Sequence, residues 1–380
     1  MARRHATGRV TDSAAGLGER RLSATTIAPE ARRGRGATAN PDGRFETTRR
    51  EILDDGWESE AGPTQPRTEV SAERARTIIS RNTSPDIAFD RSINPYRGCE
   101  HGCIYCFARP NHGYVGLSPG LDFETKLFHK PEAAALLERE LSARAYTPGT
   151  IALGTATDPY QPIERRYRIT RGVLEVLARF RHPVGIVTKS NLVTRDIDVL
   201  GPMAADGLVK VAVSVATLDP VLARRMDPRA PHPEKRLEAI RSLSAAGIPV
   251  MVIVAPIIPS LNDHEIETIL ERARDCGARE ANHVLLRLPH ELDDLVNDWF
   301  AEHYPGRQSH VMSLVRQARG GKAYDSSYRT RMTGSGAYAD LVTRRMRLAK
   351  RRLGYATERL TLRTDLFTRG AALGAQLTLF

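Results

Sequence analysis

Three of the four cysteines fall in one octapeptide, Cys99-Glu100-His101-Gly102-Cys103-Ile104-Tyr105-Cys106, with the spacing C-x3-C-x2-C. Four cysteines are too few for a disulfide framework in a chain of 380 residues, and thiolates packed this closely read as metal ligands. Zinc is the first candidate. Structural zinc, however, asks for four ligands, commonly in two separated pairs. His101 could be a fourth ligand, yet neighbours this tight in sequence seldom close a tetrahedron. Cys276 lies far along the chain, late in a helical stretch, and reads as a small buried apolar residue. Three thiolates without a fourth protein ligand suit a cubic iron–sulfur cluster with one iron left open, and an open metal position is where a substrate or cofactor binds. A zinc-stabilised nucleic-acid-binding module on the same cysteines is the alternative without redox activity.

Such a loop needs a scaffold, and the pattern from about residue 90 onward supplies one. Apolar runs rich in Val, Ile and Thr occur at 150–157, 184–190, 209–217, 249–257 and 282–288, preceded by SINPYRG at 92–98. They are almost continuously apolar, as strands covered on both faces are. Between them, 131–144, 170–180, 195–206, 233–247 and 264–277 carry apolar residues at three- and four-residue spacing. Thr170 and Asp263 are candidate N-caps, and Gly247 and Gly277 candidate C-terminal glycines. Six alternating units predict an α/β fold, a partial (β/α)6 barrel of the TIM type, because about 200 residues fall short of the eight-unit barrel. Chemistry in such a barrel gathers at the C-terminal ends of the strands. There the sequence places Thr155, Thr157 and Asp158, then Thr188, Lys189 and Ser190, then Ser214.

Hydrophobic residues make up 41% of the chain, enough for a sizeable core, and no run is long and apolar enough to span a membrane. The first residues, MARRHATGRVTDSAAG, lack the apolar stretch of a secretory leader, so a cytoplasmic enzyme is expected. Charge is uneven. The net is +11, with 11 Lys and Arg against 5 Asp and Glu in residues 1–50, and 15 against 5 in residues 301–380. Clustered arginine is the footprint of a polyanion partner such as nucleic acid, or else a compositional bias towards Arg. Residues 1–65, mixing Gly, Pro, Arg and Thr, read as a mostly disordered basic arm. Residues 66–305 hold the barrel, and 306–380 form a basic C-terminal extension with an amphipathic helix at 339–354.

Cys99-x3-Cys103-x-Tyr105-Cys106 with an alternating β/α pattern behind it resembles the radical S-adenosylmethionine (SAM) superfamily. SINPYRGCEHGCIYCFAR, GTATDPYQPIER, TKSNLVTRDIDVL and VAVSVATLD are similar to its DNA-repair photolyase-like branch, related to spore photoproduct lyase, over about residues 70–350. The resemblance implies that Cys99, Cys103 and Cys106 ligate a [4Fe-4S] cluster, whose fourth iron is chelated by the methionine moiety of SAM. It places Tyr105 beside the adenine, and Thr155, Thr157, Asp158, Lys189 and Ser214 around the amino group, carboxylate and ribose. It implies reductive cleavage of SAM to a 5′-deoxyadenosyl radical that abstracts hydrogen from a substrate, with an electron donor such as flavodoxin or ferredoxin. A SAM enzyme that forms no radical would leave the three thiolates without purpose. Two positions depart from spore photoproduct lyase: Thr155 stands where that enzyme has a hydrogen-donating cysteine, and Phe107 where it has a tyrosine. The resemblance therefore does not carry over that enzyme's thymine-dimer reaction, and it leaves the substrate unnamed.

Overall fold

The computed structural model describes residues 27, 29–46 and 66–369. Six parallel strands run side by side in chain order: β1 (Arg91–Ile93), β2 (Ile151–Leu153), β3 (Val184–Thr188), β4 (Val209–Ser214), β5 (Val250–Ile257) and β6 (Glu280–Leu285). A short strand, Ile79–Arg81, adds antiparallel to β1. Helices α1 (Ala133–Ser142), α2 (Ile169–Arg179), α3 (Ile197–Ala205), α4 (Pro233–Ala245) and α5 (Ile266–Asp275) alternate with the strands, which gives the partial (β/α)6 barrel the sequence predicts. The first stretch divides: SINPYRG yields β1 and a separate two-residue strand, Tyr96–Arg97, which pairs antiparallel with Lys126–His129.

The strands are not covered equally on both faces, as their apolar runs led one to expect. β3 and β5 alternate between buried and half-buried residues. Val184, Ile186, Val211, Val213, Val250, Val252 and Val254 enter the core shared with Leu174, Leu177, Ile240 and Leu243 of the helices. With a period of two, the opposite face carries Val187 and Lys189, Ala212 and Ser214, and Ile253 and Ala255. The sheet is open: its two edge strands, Ile79–Arg81 and β6, do not pair with each other.

Helix ends are partly as expected. Gly247 and Gly277 follow α4 and α5 with φ of +76° and +98°, the left-handed turn that ends a helix. Thr170 is not a cap. It lies inside α2 and donates from Oγ1 to the Pro159 carbonyl, while Arg168 precedes the helix in left-handed conformation. Asp263 starts a short 3-10 turn ahead of α5 and accepts from the Tyr338 hydroxyl at 2.7 Å.

Residues on both sides of the boundary expected at 305 share one apolar cluster. Helices α6 (Leu292–His303) and α7 (Gln308–Gln317) pack Trp299, Phe300, Val311 and Met312 with Leu286 and Leu288 beyond β6, and with Cys103, Ile104 and Tyr105. Helix α8 (Ala337–Arg352) buries Ala339, Val342, Met346 and Ala349 in the barrel core and pairs Arg345 with Glu267 of α5. The basic extension therefore caps the open edge beside β6. Within the arm expected to be disordered, residues 29–46 pack on the barrel; residues 1–26, 28, 47–65 and 370–380 lie outside the described residues.

Candidate functional site

The cysteine loop leaves Tyr96–Arg97 at Gly98, whose φ is +71° and where a Cβ would meet Leu127 at 2.7 Å. The Cys99 amide donates to the Phe123 carbonyl at 2.9 Å, and the Ile104 amide to the Met226 carbonyl at 2.9 Å. The fully buried Arg109 holds the turn. Its guanidinium donates to the carbonyls of Cys103 (2.8 Å), Gly102 (3.1 Å), Gly120 (2.9 Å) and Pro119 (3.1 Å), and pairs with the fully buried Glu124. All the donors of one rigid fork are thus spent on loop geometry. Gln161 braces the other side, accepting from the Glu100 amide at 2.9 Å and donating to the Gly98 carbonyl at 3.1 Å.

Cys99 and Cys103 are buried, Cys106 is half-buried, and none is in a disulfide. Burial first, and then neighbouring negative charge, pushes the Cys99 thiol up and the Cys103 thiol to about 12, with Lys189 opposing the rise at Cys103. Thiols in this setting shed their protons only against a strong compensating positive charge, which a metal centre provides. Among the described residues no three His, Cys, Asp or Glu side chains already converge on a single-ion position. A cubane does not require this, because each thiolate binds a different iron. Cys276 ends α5, is buried in the core on the helix side of the sheet and accepts from Arg241 at 3.2 Å, away from the loop.

The structure brings the other candidates to the same mouth but uses them differently. Thr155 donates to the Asn94 side chain at 3.3 Å, and Thr157 to the Tyr96 carbonyl at 3.2 Å. Asp158 is engaged on both oxygens: Oδ1 accepts from the Thr188 hydroxyl (2.7 Å) and the Tyr160 amide (2.9 Å), Oδ2 from the Lys189 amide (2.8 Å), and His101 Nδ1 stands 3.4 Å from Oδ2. Burial alone would raise its pKa. The neighbouring His101 and these hydrogen bonds outweigh burial and bring it down to about 2. Gly154 permits this meeting of strand ends, because a Cβ there would lie 2.1 Å from the Val187 carbonyl. Ser214 Oγ donates to the Ala255 carbonyl at 3.2 Å.

Lys189 differs. Its ammonium stands 5.6 Å from the centroid of the Tyr105 ring, with no hydrogen bond or ion pair among the described residues. Burial pulls its pKa down, but the anionic groups Cys103, Asp227, Asp158 and Cys106 override that and raise it. Three buried polar atoms in this neighbourhood lack hydrogen-bond partners among the described residues: His101 Nδ1, which stands by Asp158, and Tyr105 Oη and Asp227 Oδ1, with burial and then the Asp227 charge pushing the Tyr105 pKa up. Asp227 Oδ2 is held by Arg236 at 2.6 Å, a buried pair beneath the Ser214 carbonyl. Asp227, Arg109, Glu124, Gln161 and Asn94 escaped sequence reading, since no spacing rule links them to the cysteines.

The radical SAM superfamily profile matches residues 93–273, from the last residue of β1 through the cysteine loop and the strands β2 to β5. The chain is 37% identical over 233 residues to an uncharacterised protein of Mycobacterium tuberculosis, covering 61% of this chain and 68% of that one. The chain belongs to the radical SAM superfamily. It is also 25% identical over 195 residues to the radical SAM Nα-GlyT isomerase of Pseudomonas phage M6, covering 51% of this chain and 38% of that one. Spore photoproduct lyase complexed with dinucleoside spore photoproduct shares the fold, with a TM-score of 0.52 and 15% identity over 80% of this chain and 86% of that one. Among the described residues no helix of this radical SAM protein is long and apolar enough to cross a membrane.

Proposed function

We propose that Cys99, Cys103 and Cys106 hold a [4Fe-4S] cluster and that the protein acts by hydrogen abstraction on a nucleic-acid substrate. The observation that carries this reading is the placing of three unpaired thiols on one braced loop at the C-terminal mouth of a parallel half-barrel. When bound, the cluster supplies the electron that cleaves SAM to methionine and a 5′-deoxyadenosyl radical, and a small electron carrier such as flavodoxin or ferredoxin recharges it. The residues of the chain bind and orient. Lys189, the one candidate whose charged end is unengaged, would pair with the SAM carboxylate. Tyr105 Oη and Asp227 Oδ1, buried without partners, would take the polar atoms of the adenosyl half, with Ser214 beside them. Asp158, Thr155 and Thr157, already hydrogen-bonded, would hold the strand ends in position.

Support for a base-bearing substrate lies next to Cys106. Phe107 is 48% exposed, and the Arg287 guanidinium lies 5.1 Å from its ring centroid and 5.8 Å from that of Tyr324. Arg287 Nε is buried without a partner, and among the described residues the guanidinium donates only to the Met332 sulfur, at 3.1 Å. An exposed ring backed by an under-used cation is the arrangement on which an unstacked base and its phosphate sit. Thr155 argues against reversal of a thymine dimer through a thiol, because a hydroxyl is a poor hydrogen-atom donor. The test is anaerobic reconstitution followed by dithionite and SAM. About four irons with little zinc, and formation of 5′-deoxyadenosine, are expected. A colourless protein holding one zinc would establish the binding-module alternative.

A further inference from the structure

Residues 35–40 lie outside the region matched to the superfamily, yet they are buried against the cysteine loop. Ala37 is wholly buried, and Thr38 and Ala39 nearly so. The amides of Gly36 and Ala37 donate to the two carboxylate oxygens of Glu124, at 2.9 and 2.8 Å, and Glu124 is the partner of the loop-holding Arg109. A Cβ on Gly36 would lie 1.9 Å from the Gly102 carbonyl oxygen, so the two backbones are in direct contact. Ala39 packs in the apolar cluster of Cys103, Ile104 and Tyr105. Arg35 donates to the Glu124 carbonyl at 2.9 Å and to Thr68 Oγ1 at 2.9 Å, and Thr68 donates in turn to Glu100 at 2.7 Å. One short segment thus touches Gly102, shares an apolar cluster with Cys103 and Tyr105, and reaches Glu100 through Thr68.

We propose that residues 35–40 are a seal of the cluster site, with Gly36 as its positioning residue. This rests on the reading that a cluster binds at the three cysteines. Reduction adds one negative charge to a centre that is already anionic with three thiolates. Water stabilises the more highly charged state, so excluding it keeps the potential low, and the same exclusion slows attack by oxygen. A side chain at Gly36 would push the segment off Gly102 and break the amide hydrogen bonds to Glu124. Its neighbour Arg33 is exposed and serves as the control.

The experiment uses the full-length protein, loaded with cluster under anaerobic conditions. In Gly36→Val the midpoint potential should shift upward and visible absorbance should bleach in air about tenfold faster or more, as expected when charge-assisted hydrogen bonds open. Arg33→Ala should match wild type in both. A Gly36→Val protein indistinguishable from wild type would overturn the seal. Should that variant fail to fold, hydrogen exchange on wild type decides: coupling is reciprocal, so the Gly36 and Ala37 amides must exchange more slowly with cluster bound. Equal exchange with and without cluster would overturn the proposal. Failure of wild type to take up iron would instead defeat the cluster reading itself.

Discussion

The mouth of the barrel has two halves of opposite character. Around β1, β2 and the start of the loop after β3, most polar groups are spent: Asn94 on Thr155 and Ala156, Gln161 on the cysteine loop, Asp158 on Thr188, Tyr160 and Lys189, while His101 Nδ1 and Tyr160 Oη have no hydrogen-bond partner among the described residues. Towards β4 and β6, groups are left over: the Lys189 ammonium, Tyr105 Oη, Asp227 Oδ1 and Arg287 Nε. A buried polar atom without a partner costs about 1–3 kcal/mol, a cost that folding alone does not repay. Under the proposed function the first half is mainly scaffold, and the second is where bound molecules would complete the hydrogen bonding. Polar residue type at a strand end does not separate the two; what separates them is whether each polar atom already has a partner.

The largest effect expected is on the cluster itself. Cys99→Ala, Cys103→Ala and Cys106→Ala should each abolish cluster absorbance, because each removes one of three protein ligands, whereas Cys276→Ala should retain it. Iron retained in the first three and lost in the fourth would reverse the ligand assignment.

Next comes the scaffold half. Arg109→Met leaves the buried Glu124 carboxylate without its cation, with only the Gly36 and Ala37 amides donating to it, and breaking such a pair from one side costs about 3–5 kcal/mol. Denaturant unfolding should show this loss even in protein without cluster. An unaltered midpoint would mean the loop is held by something other than that guanidinium.

The sharpest test of the comparison sets the halves against each other. Lys189→Ala and Asp227→Asn should weaken SAM binding about tenfold to a hundredfold, matching a charge-assisted hydrogen bond worth about 1.5–3 kcal/mol, with little change in iron content. Asp158→Ala should instead lower the unfolding midpoint more than it lowers SAM affinity. Calorimetric titration with SAM in the three variants reads the difference, and a reversed order would exchange the roles assigned to Asp158 and Asp227.

The smallest effect concerns the basic extension. On α8, Arg345 is paired with Glu267, while Arg344, Arg347, Arg351 and Arg352 are exposed with no ion pair among the described residues. Neutralising those four should flatten the salt dependence of single-stranded DNA binding, by about 0.7 in log–log slope for each phosphate that an arginine no longer neutralises. SAM cleavage should be untouched. An unchanged slope would make the arginine excess a matter of composition.

Local pattern made much of this legible. The apolar strand runs and three- to four-residue helix spacing gave the six βα units, and the C-x3-C-x2-C spacing gave the cysteine loop, because both signals lie in adjacent residues. Helix starts were less legible: Thr170 looks like a cap by type, but the chain enters α2 through Arg168 and uses the Thr170 hydroxyl on Pro159 instead. The boundary expected at 305 has apolar contacts across it for a related reason. Charge changes there, but the apolar face of α6 and α7 continues the core that contains Tyr105.

Residue type and spacing by themselves determined the barrel, the three thiols and the polar strand ends, since those depend on backbone period and on local chemistry. Which polar ends are free was decided only by tertiary structure. Asp158 and Lys189 looked alike as candidate SAM ligands. The carboxylate is consumed by groups arriving from β3 and from the cysteine loop, while the ammonium finds no such partner among the described residues and stands over the Tyr105 ring. The same holds for residues 35–40, which read as part of a polar arm. Their two amides are buried because Glu124, 87 and 88 residues away in sequence, brings a carboxylate to them.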